Sequence, residues 1–199
     1  MKFKSLAIIF LASVLLFGCS KKLNPNTAYT LLQKREVIKA SQIGYITPTD
    51  IVLPGKQEMY KLSITDSVAG FGTNSEMLSN FRIFYLDTKP NTNYNVTVKS
   101  YCDCFGFTKH VFEPIIHIFN GSQSLKPELN DAHYNEGKDG LIVKETWTFT
   151  SKNYNTKLLV YSNNKELNRT THKLDIFAIK IPIKNTIGGK FSILLEEVK

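Results

Sequence analysis

Tyr94-Asn95-Val96-Thr97-Val98-Lys99-Ser100-Tyr101-Cys102-Asp103-Cys104 alternates with a period of two. Tyr94, Val96, Val98, Cys102 and Cys104 fall on one side, and Asn95, Thr97, Lys99, Tyr101 and Asp103 on the other. Successive side chains of a strand point to opposite faces, so this is the pattern of a strand with one buried face. The stretch is rich in β-branched and aromatic residues and contains no proline, which suits a pleated, half-buried surface rather than a helix.

The same signal recurs on both sides of it. Residues 59–65 put Tyr60, Leu62 and Ile64 on one face, and residues 81–87 follow a glycine-rich turn at 70–75. Residues 115–119 run into Asn120-Gly121, a strong turn pair. Residues 141–149 turn Leu141, Val143, Trp147 and Phe149 inward, and only Glu145 breaks the pattern. Residues 157–161, 174–181 and 191–198 bring the total to about eight strands. Short strands punctuated by turn residues predict an all-β fold, an antiparallel two-layer β-sandwich over residues 56–199. The polar stretch 120–140 reads as a surface loop, and 162–173 as a connection holding a turn of helix. Residues 28–41 read as a short N-terminal helix with Ala28, Leu31, Leu32 and Arg35 along one side. Residues 28–199 are expected to form a single globular domain, long enough to bury a core.

Before the domain lies a segment of another kind. Lys2 and Lys4 precede an uncharged apolar run over residues 5–17, which Ser20-Lys21-Lys22 ends at once. The run is shorter than the ~20 residues that cross a bilayer, and its charge pattern is that of an export signal. Leu16-Phe17-Gly18-Cys19 reads as a bacterial lipobox, with Phe17 bulkier than the residue usual there. Residues 1–18 are therefore expected to be a lipoprotein signal peptide, Cys19 the lipidated residue, and 19–27 a polar tether. Several acyl chains give stable anchoring, since each buried methylene contributes roughly 0.8 kcal/mol. Ser20, where an aspartate would signal inner-membrane retention, points to the outer membrane, with the domain facing the periplasm.

The net charge is +8, or +6 once Lys2 and Lys4 are removed. The basic residues are scattered among Asn and Thr with no basic stripe and no interleaved aromatics, so nucleic acid is not an expected partner.

Few residues suggest chemistry. His110, His117, His133 and His172 form no HExxH motif, and no G-x-S-x-G elbow occurs. Gly70-Phe71-Gly72 lacks the Lys-Ser/Thr of a phosphate cradle and reads as a turn. Cys102 and Cys104 are the sharpest candidates. They continue an apolar face and can pack as small hydrophobes, or form a disulfide or thiol pair; a redox dithiol, or a soft-metal site with His110 and His117, are the functional alternatives. In an extended strand their Cα atoms would stand about 6.6–6.8 Å apart, at the edge of disulfide range, so a bridge requires a bulge or turn.

Residues 157–174, KLLVYSNNKELNRTTHKL, resemble a signature segment of the maltose operon periplasmic protein family: a strand ending in Leu-Val-Tyr, a polar turn, a leucine and a Thr-Thr run. Ser67-Val68-Ala69 through residues 81–86, and Val111-Phe112-Glu113-Pro114 leading into 115–119, agree more loosely. The resemblance implies an exported β-rich protein linked to carbohydrate uptake, with no catalytic residues to carry over. Cys102 and Cys104 have no counterpart in the family pattern.

The expectation is thus an envelope lipoprotein, not an enzyme, acting as a binding or accessory module with a membrane anchor and a carbohydrate or envelope-protein partner. The alternatives are a structural subunit or assembly factor of an envelope complex, or a metal or redox protein using Cys102 and Cys104. No cofactor, metal ligand or catalytic residue is assigned. Tyr134, Asn153, Tyr154 and Asn155, in predicted loops, are the residues of the type that would meet a sugar.

Overall fold

The computed structural model describes residues 24–71, 77–104, 109–137, 140–176 and 179–199. The chain opens with helix α1 (Pro25–Leu32), where the Asn24 side chain accepts the Asn26 N–H at 2.9 Å and Pro25 occupies the first turn, a position where its missing N–H costs nothing. The helix stops at Leu32, short of the expected 28–41. Strand β1 (Val37–Ile38) and a single-turn helix α2 (Ala40–Ile43) take up the remainder. The buried α1 residues Ala28 and Leu32 pack on Val68 and Ile187.

Strands dominate from there. One sheet runs β1, β4 (Val68–Phe71), β5 (Met77–Leu86), β12 (Thr156–Ser162), β8 (Pro114–Asn120) and β9 (Gln123–Leu125), with β2 (Asp50–Val52) also paired to β5. A second runs β10 (Glu128–Gly137), β11 (Gly140–Ser151), β6 (Thr92–Tyr101), β15 (Lys190–Glu197) and β3 (Glu58–Lys61). A small third sheet joins β13 (Thr170–Ile176), β14 (Ile179–Asn185) and β7 (Lys109–Val111). The described residues hold fifteen strands, not about eight. Much of the excess comes from two- to four-residue pieces such as β1, β2, β7 and β9, too short for alternation to register. Antiparallel pairing prevails, but β1–β4, β2–β5 and β7–β14 are parallel.

The two larger sheets share one apolar core. Phe84, Leu86, Ile118, Leu158 and Val160 from the first meet Tyr94, Val96, Val98, Trp147, Phe149, Phe191 and Ile193 from the second. At its centre the Phe191 ring lies 5.7 Å from Tyr60, 6.1 Å from Phe84 and 5.7 Å from Phe112. Strand β12 is buried along its whole length, because Leu159 and Tyr161 on its other face pack with Phe71, Phe81 and Ile43. That explains the unbroken apolar run Leu158-Leu159-Val160-Tyr161: a strand covered on both sides has no polar face to show. Lys157 on the same strand, only 5% exposed, donates to the carbonyls of Gly44 at 2.8 Å and Ile46 at 3.1 Å.

Three further expectations change. The stretch 120–140 is not a loop: it forms β9 and β10, the latter an edge strand held by its ladder to β11, with a register shift between Leu129 and Asp131. An irregular, polar edge resists pairing with another chain. Residues 174–181 are not one strand but parts of β13 and β14, paired antiparallel from Thr170↔Lys184 to Ile176↔Ile179. Gly70 and Phe71 belong to β4 and are buried, so the turn read at 70–75 is strand at its start; residues 72–75 lie outside the described residues. Asn120-Gly121 does turn the chain, between β8 and β9, with Gly121 at φ 67°.

Candidate functional site

Strand β11 supplies the starting point. Its core-facing series Leu141, Val143, Trp147 and Phe149 is buried, and Glu145 stands on the same face, opposite Val98 on β6 and Ala132 on β10. A carboxyl in that position needs an opening, and it has one. Glu145 and Trp147 line a cleft of about 360 Å³ together with Glu113 and Pro114–Ile116 at the start of β8, Tyr134 on β10, Asn163 after β12, and Arg169.

The far side of the cleft is assembled by Asn185 on β14, which is fully buried. Its Oδ1 accepts the Glu113 N–H at 3.2 Å and its Nδ2 donates to the Asn163 carbonyl at 2.8 Å. Its own N–H donates to the Arg169 carbonyl at 2.9 Å, and its carbonyl accepts the Asn168 N–H at 3.1 Å. Asn168 carries the backbone round at φ 60°. One side chain and its peptide groups thus bring three chain segments, 113, 163 and 168–169, to one place.

Glu113 collects the donors. Arg169 Nη2 lies 3.7 Å from its Oε1, and Arg169 Nη1 lies 3.4 Å from Glu166 Oε2. The Tyr134 hydroxyl donates to Glu113 Oε1 and Asn163 Nδ2 to Oε2, each at 3.4 Å. The Tyr134 ring stacks on His172, with centroids 5.6 Å apart and planes 7° from parallel. Burial, reinforced by the Glu113 carboxylate, raises the Tyr134 hydroxyl above its ordinary range. Burial first, and then the Glu113 charge, push the Glu145 carboxyl up to about 7. Glu145 is therefore a hydrogen-bond donor below neutral pH and an acceptor above it, beside the acceptor oxygens of Glu113 and donors in Arg169 and Asn163. Such a set suits a neutral ligand rich in hydroxyl groups, with Tyr134 offering a half-exposed ring.

Of the sequence candidates, Tyr134 belongs to the cleft, on a strand and not in a loop. Asn153, Tyr154 and Asn155 form the β11–β12 connection, where Asn153 Oδ1 accepts the Asn155 N–H at 2.8 Å; Tyr154 is 76% exposed, and none of the three lines the cleft. His133 and His172, in stretches expected to be loop or connection, lie on β10 and β13, and His110 is in β7. His117 on β8 shares a 3.2 Å hydrogen bond with the Tyr161 hydroxyl, and burial lowers its pKa. Among the described residues no three of His, Cys, Asp and Glu gather as a metal site. Cys102 and Cys104 are joined by a disulfide, with Cα atoms 5.1 Å apart, and pack partly buried against Val111, Leu141, Val143 and Ile183. Cys19 lies outside the described residues, as do the signal segment 1–18 and the first part of the tether. Among the described residues no helix is long and apolar enough to cross a membrane.

Glu113, Glu145, Asn163 and Arg169 were not site candidates in the sequence. Glu145 alone left a trace there, as the break in the β11 alternation. The chain matches no protein-family model, and neither a curated protein nor a solved structure shows significant similarity to it.

Proposed function

We propose that the protein is an envelope lipoprotein, anchored through Cys19 to the outer membrane and facing the periplasm, whose domain binds a saccharide in the Glu113–Glu145 cleft without catalysing a reaction on it. The two larger sheets, packed through a common core, are read as the two layers of a sandwich, with the small third sheet closing one side of the cleft. The observation that carries the reading is the meeting of Glu113, Glu145, Asn163, Arg169 and Tyr134 around about 360 Å³, within the size range of small-molecule sites. Polar groups of both hydrogen-bonding senses beside an aromatic ring match the alternating hydroxyls and apolar patches of a sugar. The resemblance of residues 157–174 to a carbohydrate-linked family points the same way.

Isothermal titration of the full-length protein in detergent micelles, against maltodextrins and fragments of envelope polysaccharide, tests it. Saturable heat is expected with at least one glycan, and Tyr134→Ala should weaken binding about tenfold, equivalent to about 1.4 kcal/mol. Tyr154→Ala, away from the cleft, should leave it unchanged. Flat titrations with every glycan would overturn the reading, and release of new reducing ends would overturn its non-catalytic part. Mass spectrometry of the N-terminal peptide tests the anchor, expected to start at an acylated Cys19.

A further inference from the structure

The Cys102–Cys104 disulfide sits where the β6 ladder ends. The Cys102 N–H donates to the Leu141 carbonyl at 2.9 Å, as the last rung towards β11. Asp103 then turns to pair with His110, exchanging backbone hydrogen bonds of 2.7 and 3.3 Å. That turn is the bend that the extended strand lacked, and it brings the two Cα atoms to 5.1 Å. Backbone pairing between Asp103 and His110 holds it together with the bond between the sulfurs. A bridge across a single residue also closes a very short loop, and the shorter the loop the less its closure stabilises. The bond therefore restrains little that is not already restrained.

Its surroundings suggest another use. Cys102 forms part of the wall of an open cavity of about 510 Å³, with apolar Leu62, Ile64 and Ile187 and cationic Lys61 and Lys190. Cys104 is not part of that wall, and the Lys109 ammonium donates to its carbonyl. We propose that Cys102–Cys104 is an exchange-active disulfide, which oxidises a dithiol that reaches Cys102 from this cavity. The proposal is independent of the saccharide cleft.

The substrate thiolate attacks Cys102 Sγ from the cavity. The Cys102–Cys104 bond breaks, a mixed disulfide forms on Cys102, and Cys104 leaves as a thiolate. The second substrate thiolate attacks the substrate sulfur of the mixed disulfide and expels Cys102 as a thiolate. The substrate has then lost two electrons and two protons and carries a disulfide; the two cysteines have gained the electrons and take up the protons.

The test equilibrates the full-length protein with mixtures of reduced and oxidised glutathione, quenches with acid and counts thiols by maleimide mass tagging. Two tags beyond any on Cys19 are expected at about 10 mM reduced glutathione, falling to none as the oxidised form is raised. A pair that stays closed at that concentration in the folded protein would overturn the proposal. Cys104→Ser should trap glutathione on Cys102 about tenfold faster than Cys102→Ser traps it on Cys104, because only Cys102 opens to the cavity. Equal trapping would remove the cavity from the mechanism and overturn the proposal in that form.

Discussion

Asn185 accepts the backbone N–H of Glu113 through its side-chain oxygen at 3.2 Å, and so holds the backbone that carries a carboxylate of the cleft. Its amide nitrogen holds Asn163 in the same way. Asn185→Ala leaves the Glu113 N–H and the Asn163 carbonyl, both part-buried, without these partners, at a cost of about 1–3 kcal/mol. Urea unfolding should show this loss. Binding in the cleft should weaken even though Asn185 touches no ligand, because Glu113 and Asn163 lose their common support.

Glu145 makes stability depend on pH in a defined direction. Its carboxyl is raised from 4.5 to about 7 by burial and by Glu113, so the folded protein keeps a proton that the unfolded chain releases above about pH 4.5. The stability it contributes is present below that pH, falls as the pH rises to about 7, and is flat beyond. Glu145→Gln should flatten that part of the curve and raise stability at pH 8 by on the order of 2–3 kcal/mol. Thermal melts of both proteins from pH 4 to pH 8 check the sign; a variant that tracks the parent at every pH would rule it out.

Removing the disulfide should matter little to the fold. Loop closure over three residues is worth only about 1–2 kcal/mol, and the Asp103–His110 pairing remains. The Cys102→Ser, Cys104→Ser double variant is expected to lose no more than that in urea, and to keep the far-ultraviolet circular dichroism of the parent.

Phe191 is the contrasting case. It is fully buried among Tyr60, Phe84 and Phe112, so Phe191→Ala removes a ring from the seam between the sheets and leaves a cavity. A loss of about 3–5 kcal/mol is expected from calorimetry or denaturant melts.

What the sequence revealed follows from where each strand lies. Strands β6, β11 and β15 are long and show one face to the core, so Val96, Val98, Trp147 and Phe191 repeat with period two and can be read directly. Strand β10 was hidden because its described side chains make little core: Leu129, Asp131 and Ala132 are exposed, and its hydrogen bonds to β11 hold it in place. The division into β13 and β14 was hidden because the sequence between them, Phe177-Ala178, contains none of the usual turn residues. The cleft was hidden for a topological reason. Glu113 is some fifty residues from Asn163 and Arg169 in the chain, and the backbone groups that Asn185 ties together at all three follow no local pattern. Lipidation of Cys19, by contrast, is a reading of local sequence alone.

Strand β15 has a consequence for the order of folding. It lies between β6 and β3 in the five-stranded sheet, and it brings Phe191, Ile193 and Leu195 to the core. Until residues 190–197 are available, β3 has no partner in its sheet, β6 shows an open edge, and the most sequence-distant contacts of the core cannot form. Closing them last favours slow folding. A chain not yet extended through residue 197 would therefore stay unlocked, while offering an adhesive strand edge that a chaperone would need to shield.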